Sequence, residues 1–175
     1  DFTYDDDWYP ITDGLGFSLV VVDEAAEPDA WDHKSQWHPS GALSGSPGRI
    51  EPVPPAIAPV LITEALTRTD VPPPLDTIEL YNPTALSADI SGWYLTDDFL
   101  TPKKFRIHDR PAMPAGGYLG FDETDFNALP GAPGNFSLSS KGDEVYLFSA
   151  DANGNLTGYD HGFAFGAAES DVSFG

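Results

Sequence analysis

Carboxylates are the most abundant reactive side chains in this sequence, and they come in clusters. The densest are Asp5-Asp6-Asp7, Asp97-Asp98, Asp122-Glu123-x-Asp125 and the run Asp151-Ala-Asn153-Gly-Asn155. Two chemistries use such groups. Paired carboxylates act as acid and base in glycoside hydrolysis, but pairs are so numerous here that none is singled out. Oxygen ligands also hold Ca²⁺. Asp151–Asn155 begins like an EF-hand loop, which needs Gly at its sixth position and a bidentate Glu at its twelfth. Those positions are Leu156 and Gly162, so a hairpin turn is expected instead. Carboxylates converging from separate loops are the remaining route to a Ca²⁺ site; the alternative is ordinary solvated loop charge.

Other chemistries find less support. His33, His38, His108 and His161 do not lie at the short spacing of a zinc pair, and there is no cysteine, so transition-metal binding is not expected. Gly14-Leu-Gly-Phe-Ser18 and Ser44-Gly-Ser-Pro-Gly48 are small-residue turns, not the Gly-x-Ser-x-Gly elbow of a hydrolase. No Gly-rich phosphate loop precedes a helical pattern. The expectation is a protein that is not an enzyme, with no catalytic residue and no cofactor apart from the Ca²⁺ option. The tryptophans are the other candidates. Trp93, between Gly92 and Tyr94 in a strand pattern, reads as core. Trp8, Trp31 and Trp37 lie in irregular segments, where they either contact a ligand by stacking on sugar rings or pin loops to a core.

The elements that must carry these residues are short strands. Seventeen Gly and seventeen Pro divide 175 residues into short pieces, and no stretch keeps helical apolar spacing for three turns. Strands are expected at residues 60–66, 77–81, 91–95, 104–108, 118–121, 136–138, 144–148 and 156–163. In 77–81, Ile78 and Leu80 alternate with Thr77, Glu79 and Tyr81. Eight strands at this spacing suit two packed antiparallel sheets. Residues 49–58 are rich in proline and read as an extended linker. Residues 1–48 form an N-terminal β/loop extension, with one convincing strand at Phe17–Val22 and a loop-like region from Trp31 through Pro39. One strand cannot bury a core, so Phe17–Val22 is expected to take its partners from the sandwich at residues 59–175.

Charge narrows the partners. Twenty-eight Asp and Glu against eight Lys and Arg give a formal net charge of −20, which repels phosphate backbones and argues against nucleic acid. No apolar run approaches the ~18 residues of a membrane span, so membrane insertion is not expected. The sequence opens at Asp1 in mid-pattern without Met and reads as a piece of a longer protein.

Several motifs carry a family likeness. Pro59-Val-Leu-Ile-Thr-Glu-Ala-Leu66, Ile78-Glu-Leu-Tyr-Asn-Pro83, Ile90-Ser-Gly-Trp-Tyr-Leu-Thr-Asp-Asp98, Pro114-Ala-Gly-Gly-Tyr118 and Phe136-Ser-Leu-Ser-Ser-Lys-Gly-Asp-Glu-Val145 resemble successive segments of the lamin-tail domain. Phe165–Gly175 resembles its closing segment. Residues 2–10, 13–19 and 37–48 look like the end of a preceding lamin-tail unit of bacterial type. The resemblance implies an all-β, immunoglobulin-like antiparallel sandwich without catalytic residues. It also implies an accessory module of a larger exported or cell-surface protein. The expected role is adhesion, spacing or docking, with a protein or a cell-envelope glycan as partner. A carbohydrate-binding module using exposed Trp, or an accessory part of an enzyme whose active site lies elsewhere, are the alternatives.

Overall fold

A computed structural model describes residues 2–108 and 112–175, with the backbone alone at Asp6. Asp1, where the sequence opens, lies outside the described residues. The strands are β1 (Leu19–Val21), β2 (Trp37–Pro39), β3 (Leu61–Leu66), β4 (Thr77–Tyr81), β5 (Tyr94–Thr96), β6 (Phe105–Arg106), β7 (Tyr118–Asp122), β8 (Asp143–Ala150) and β9 (Leu156–Phe165). One helical turn, α1 (Glu123–Phe126), follows β7, and short 3₁₀ turns occupy Asp6–Trp8, Pro10–Thr12, Pro28–Asp32 and Lys34–Gln36. The chain divides into two compact units. One runs up to Ala56 and includes Leu156–Asp160; the other is Ile57–Asn155 with His161–Gly175.

The larger unit holds the sheet ordered β3-β4-β7 and the sheet ordered β6-β5-β8-β9, the last strand from His161 onward. Its core follows from alternation, because successive side chains on a strand face opposite ways. Ile78 and Leu80 of β4 are fully buried while Thr77, Glu79 and Tyr81 face outward. They lie opposite Phe121 and Leu119 of β7 and beside Ala65 and Ile62 of β3. A bulge between Ile62 and Glu64 keeps both Ile62 and Ala65 inward, since one extra residue resets the period. Leu95, Ile107, Val145 and Leu147 are among the buried residues of the second sheet's side. The Phe105 ring meets Phe121 edge-on at 5.9 Å. β8 is buried on both faces towards its end, because the Phe99 ring covers Phe148 at 5.4 Å.

Three expectations need correction. Phe17–Val22 does not take its ladder partner from downstream: Leu19, Val20 and Val21 pair with Pro39, His38 and Trp37. The region from Trp31 to Pro39 is therefore not all loop. Pro39 is tolerated because the bonded positions are the flanking ones, Ser40 N–H to Ser18 O and Val22 N–H to Gln36 O, so its missing donor is not required. In the same unit Gly158 of β9, at φ +94°, lies so close to Phe17 and Pro39 that a Cβ would meet them at 3.5 and 3.6 Å. Second, Phe136–Leu138 is extended but joins no ladder. Its Phe136 N–H goes to Phe126 O and its Leu138 N–H to the Asp76 carboxylate, with the Phe136 ring stacked on Phe126 at 4.8 Å. Third, Asp122-Glu123-x-Asp125 is a helix start instead of a loop.

Candidate functional site

Five of the clustered acids, Asp5, Asp98, Asp122, Asp125 and Asp151, hold backbone N–H groups. Asp122 accepts from Thr124 N–H at 2.8 Å, and Asp125 reaches back to Asp122 N–H at 3.3 Å. This is a capping box with acids at both ends of the exchange. Asp98 accepts from Leu100 N–H, Asp5 from Asp7 N–H, and Asp97 pairs with Lys104. Asp151 takes the N–H groups of Asn153 and Asn155 and the Asn155 side chain, and so closes the β8–β9 turn. Hydrogen bonds hold both Asp98 and Asp151 below the usual carboxylate range, from the Thr101 hydroxyl foremost in one and the Asn155 side chain in the other. Among the described residues no three His, Asp or Glu side chains converge to hold a metal.

Two of the three candidate tryptophans come together. The Phe2 ring lies edge-on to Trp31 at 5.3 Å and tilted against Trp37 at 5.7 Å, with Tyr4 at 6.5 Å from Trp37. Trp31 Nε1 donates to Asp23 O, and Trp37 Nε1 to Trp31 O at 2.7 Å. Both indoles thus tie loops of their own unit. Trp8 ends the Asp6–Trp8 turn, and no described ring contact joins it to the cluster. An open groove of about 1010 Å³ also runs beside residues 20–22 and 46–54. Two carboxylates line it, Glu24 and Glu51, and Glu51 is held by the Ser46 hydroxyl and Gly41 N–H.

The sequence marks Asn82 only as the stop of a strand, and its spacing gives no sign of a site. Asn82 is fully buried. Its Nδ2 donates to the carbonyls of Leu86, Met113 and Pro114, and its Oδ1 accepts from the Thr84 N–H and hydroxyl. It joins the turn after β4 to the chain that enters β7. Beyond it, the outer face of β3-β4-β7 is open. Tyr81 and Tyr118 stack there at 4.6 Å. Next along, Glu79 faces Gly120 on one side and Glu64 on the other, with the Thr63 hydroxyl donating to Glu79 Oε1 at 2.9 Å. β3, β4 and β7 contain no Lys, Arg or His.

Burial pushes Asp76 up to about 6, helped by the charge of Glu123 and then of Asp143 and opposed by the Leu138 N–H. Burial likewise raises Asp160 to about 6, against Ile11 N–H and the charge of Lys34. A carboxyl raised above its unfolded value favours the protonated fold. Its added stability is full below about 3.8 and lost as pH rises through about 6. Burial moves His161 the other way; its Nδ1 accepts from Ile62 N–H at 3.0 Å, so protonation removes that bond. Asp76→Asn keeps the oxygen for Leu138 and removes the charge. We predict a gain of about 1 kcal/mol at pH 7.5, after discounting solvent screening at this half-buried site. At pH 4 the gain should vanish. Denaturant melts at both values check this, and a variant no more stable than the parent at pH 7.5 overturns it.

The larger unit is an all-β sandwich of immunoglobulin type in which Asp98, Asp122, Asp125 and Asp151 hold backbone N–H groups. The sequence model of the Lamin Tail Domain family matches residues 54–161, more than half of the chain, and the chain belongs to that family. Such domains are structural and interaction modules. The match takes in β3 through most of β9, including Asn82, Trp93 and the tyrosine pair; Trp8, Trp31, Trp37 and the closing segment Phe165–Gly175 lie outside it. Comparison with curated proteins and with solved structures returns no match.

Proposed function

We propose that the chain is a non-catalytic docking or spacer module of a larger exported protein, displayed outside the cell. The observation that carries the reading is the commitment of its acids and indoles: Asp5, Asp98, Asp122, Asp125, Asp151, Trp31 and Trp37 all hold backbone. What the larger unit offers a partner is a flat sheet face. The formal charge of −20 keeps such a module in solution and repels nucleic acid. A sugar-reading role for Trp31 and Trp37 is supported less, because Phe2 and Tyr4 already lie against them.

Antibody labelling of intact and permeabilised source cells tests the reading. Equal signal before and after permeabilisation is the expected outcome; labelling only after permeabilisation removes the exported role. A glycan array is expected to be blank, and specific binding abolished by Trp31→Ala or Trp37→Ala would establish the sugar reader in place of the protein-docking module.

A further inference from the structure

The two edges of the three-stranded sheet are finished differently. On β3 the edge is closed. Ile62 N–H meets His161, and Ala65 and Phe174 exchange both backbone bonds at 2.8 and 2.9 Å. The Phe174 ring stacks on Phe165 at 4.9 Å. β7 is the opposite edge strand, and among the described residues no strand pairs with its outer side. The flanking bonds, Asn82 N–H to Gly117 O and Glu123 N–H to Asp76 O, set the phase of the ladder. Leu119 and Phe121 therefore address β4, and the backbone groups of Tyr118 and Gly120 point outward. Unpaired edges of this kind are templates for another strand.

The side chains beside this edge state what such a strand should carry. Gly120 stands opposite Glu79, and a Cβ built on Gly120 meets nothing within 4 Å. The glycine leaves an open lane from the edge to the Glu79 carboxylate. Strands lie about 4.8 Å apart, so a residue paired with Gly120 sits roughly two spacings from Glu79. A Lys or Arg side chain reaching across and a Glu reaching back cover that distance; shorter side chains do not. The exposed ring of Tyr118, 61% accessible, flanks the lane and suits the stem and charge of a basic residue. Glu64 and Glu79 stand directly opposite each other, a like-charge pair that a cation relieves. A second copy of this chain does not fit: β7 has no base to offer Glu79, and each copy has a formal charge of −20.

We propose that β7 accepts an extended segment of a protein partner as an added strand, with a Lys or Arg of that segment crossing Gly120 to Glu79. The proposal rests on the docking reading above and gives it a site and a partner chemistry.

The test uses the whole chain and a synthetic β-forming peptide of about nine residues with Lys at its centre. Its companions carry norleucine or Glu at the centre, or N-methyl groups on the pairing edge. Calorimetry should show the Lys peptide binding about tenfold more tightly than the norleucine peptide. The N-methylated peptide should not bind, and Tyr118 and Gly120 amides should gain exchange protection. Glu79→Gln, which still accepts from Thr63, and Gly120→Val, which fills the lane without a clash, should each cost about tenfold. Glu27→Gln, the same charge change on an exposed residue of the other unit, should cost nothing. Equal binding of the Lys and norleucine peptides, binding of the N-methylated peptide, or equal loss from Glu27→Gln and Glu79→Gln each overturns the proposal. So does self-association through β7 or no peptide binding at all. Those results leave the docking reading standing, whereas labelling only after permeabilisation removes its exported role without touching the peptide result.

Discussion

Asn82→Ala is expected to lower the melting temperature by about 10 °C, from a loss of about 3 kcal/mol. The cost does not come from lost apolar area. It comes from leaving the Thr84 N–H without its acceptor and from removing the donor shared by the carbonyls of Leu86, Met113 and Pro114, which keep only the Thr84 hydroxyl, Ala88 N–H and Gly117 N–H respectively. An unsatisfied buried polar group costs about 1–3 kcal/mol, and solvent reaching the exposed turn at Leu86 recovers part of it. Asn82→Asp should be at least as damaging, because a carboxylate donates nothing to three carbonyls and brings a charge into a buried position. Thr84→Ala removes only one hydroxyl and should cost about 1 kcal/mol. A chemical denaturation series checks the order, and an Asn82→Ala protein melting within about 2 °C of the parent would falsify it.

Gly162→Ala carries the second large effect. β9 passes β8 so closely at this point that a Cβ would lie 2.1 Å from Val145 O and 2.4 Å from the Tyr146 ring. The first obstacle is backbone, which cannot swing aside as a side chain can. The strands must part locally, at a cost of about 2–3 kcal/mol. Gly166→Ala is the control: a Cβ there meets nothing within 4 Å, so its effect should stay within about 0.5 kcal/mol. Amide exchange locates the damage. Protection should fall in β8 and β9 and persist in β3 and β4; uniform loss, or parity of the two variants, would contradict the close-approach argument.

Legibility in the sequence followed periodicity. β4 has the expected bounds because Ile78 and Leu80 alternate cleanly with polar neighbours and Asn82-Pro83 stops them. β8 runs beyond its expected end, since Ser149 and Ala150 are buried by tertiary cover that no local pattern announces. Phe136–Leu138 has strand composition, but its donors are taken by the Phe126 carbonyl at the end of α1 and by Asp76, 62 residues from Leu138. β2 was hidden by Pro39, which weighs against a strand until its non-bonded position is known. The acids were legible only as clusters. Whether a carboxylate caps the backbone or gathers with others depends on turns that come from the fold, not from spacing. Asn82 did stand in a recognised motif, yet its role depends on Met113 and Pro114, and only the closed sheet brings them to it. The tyrosine face had a visible signal in the outward positions of Glu79 and Tyr81, but its second half is in β7, where Leu119 and Phe121 gave the weaker alternation.

The closed edge at β3 also sets a limit on number. A sheet with two free edges can add a strand on each side and keep growing, as fibres do. Here Ala65–Phe174 and Ile62–His161 stop one side, so any strand that joins at β7 finds no second vacancy. The strand addition proposed at β7 therefore stops at one partner per chain at this sheet.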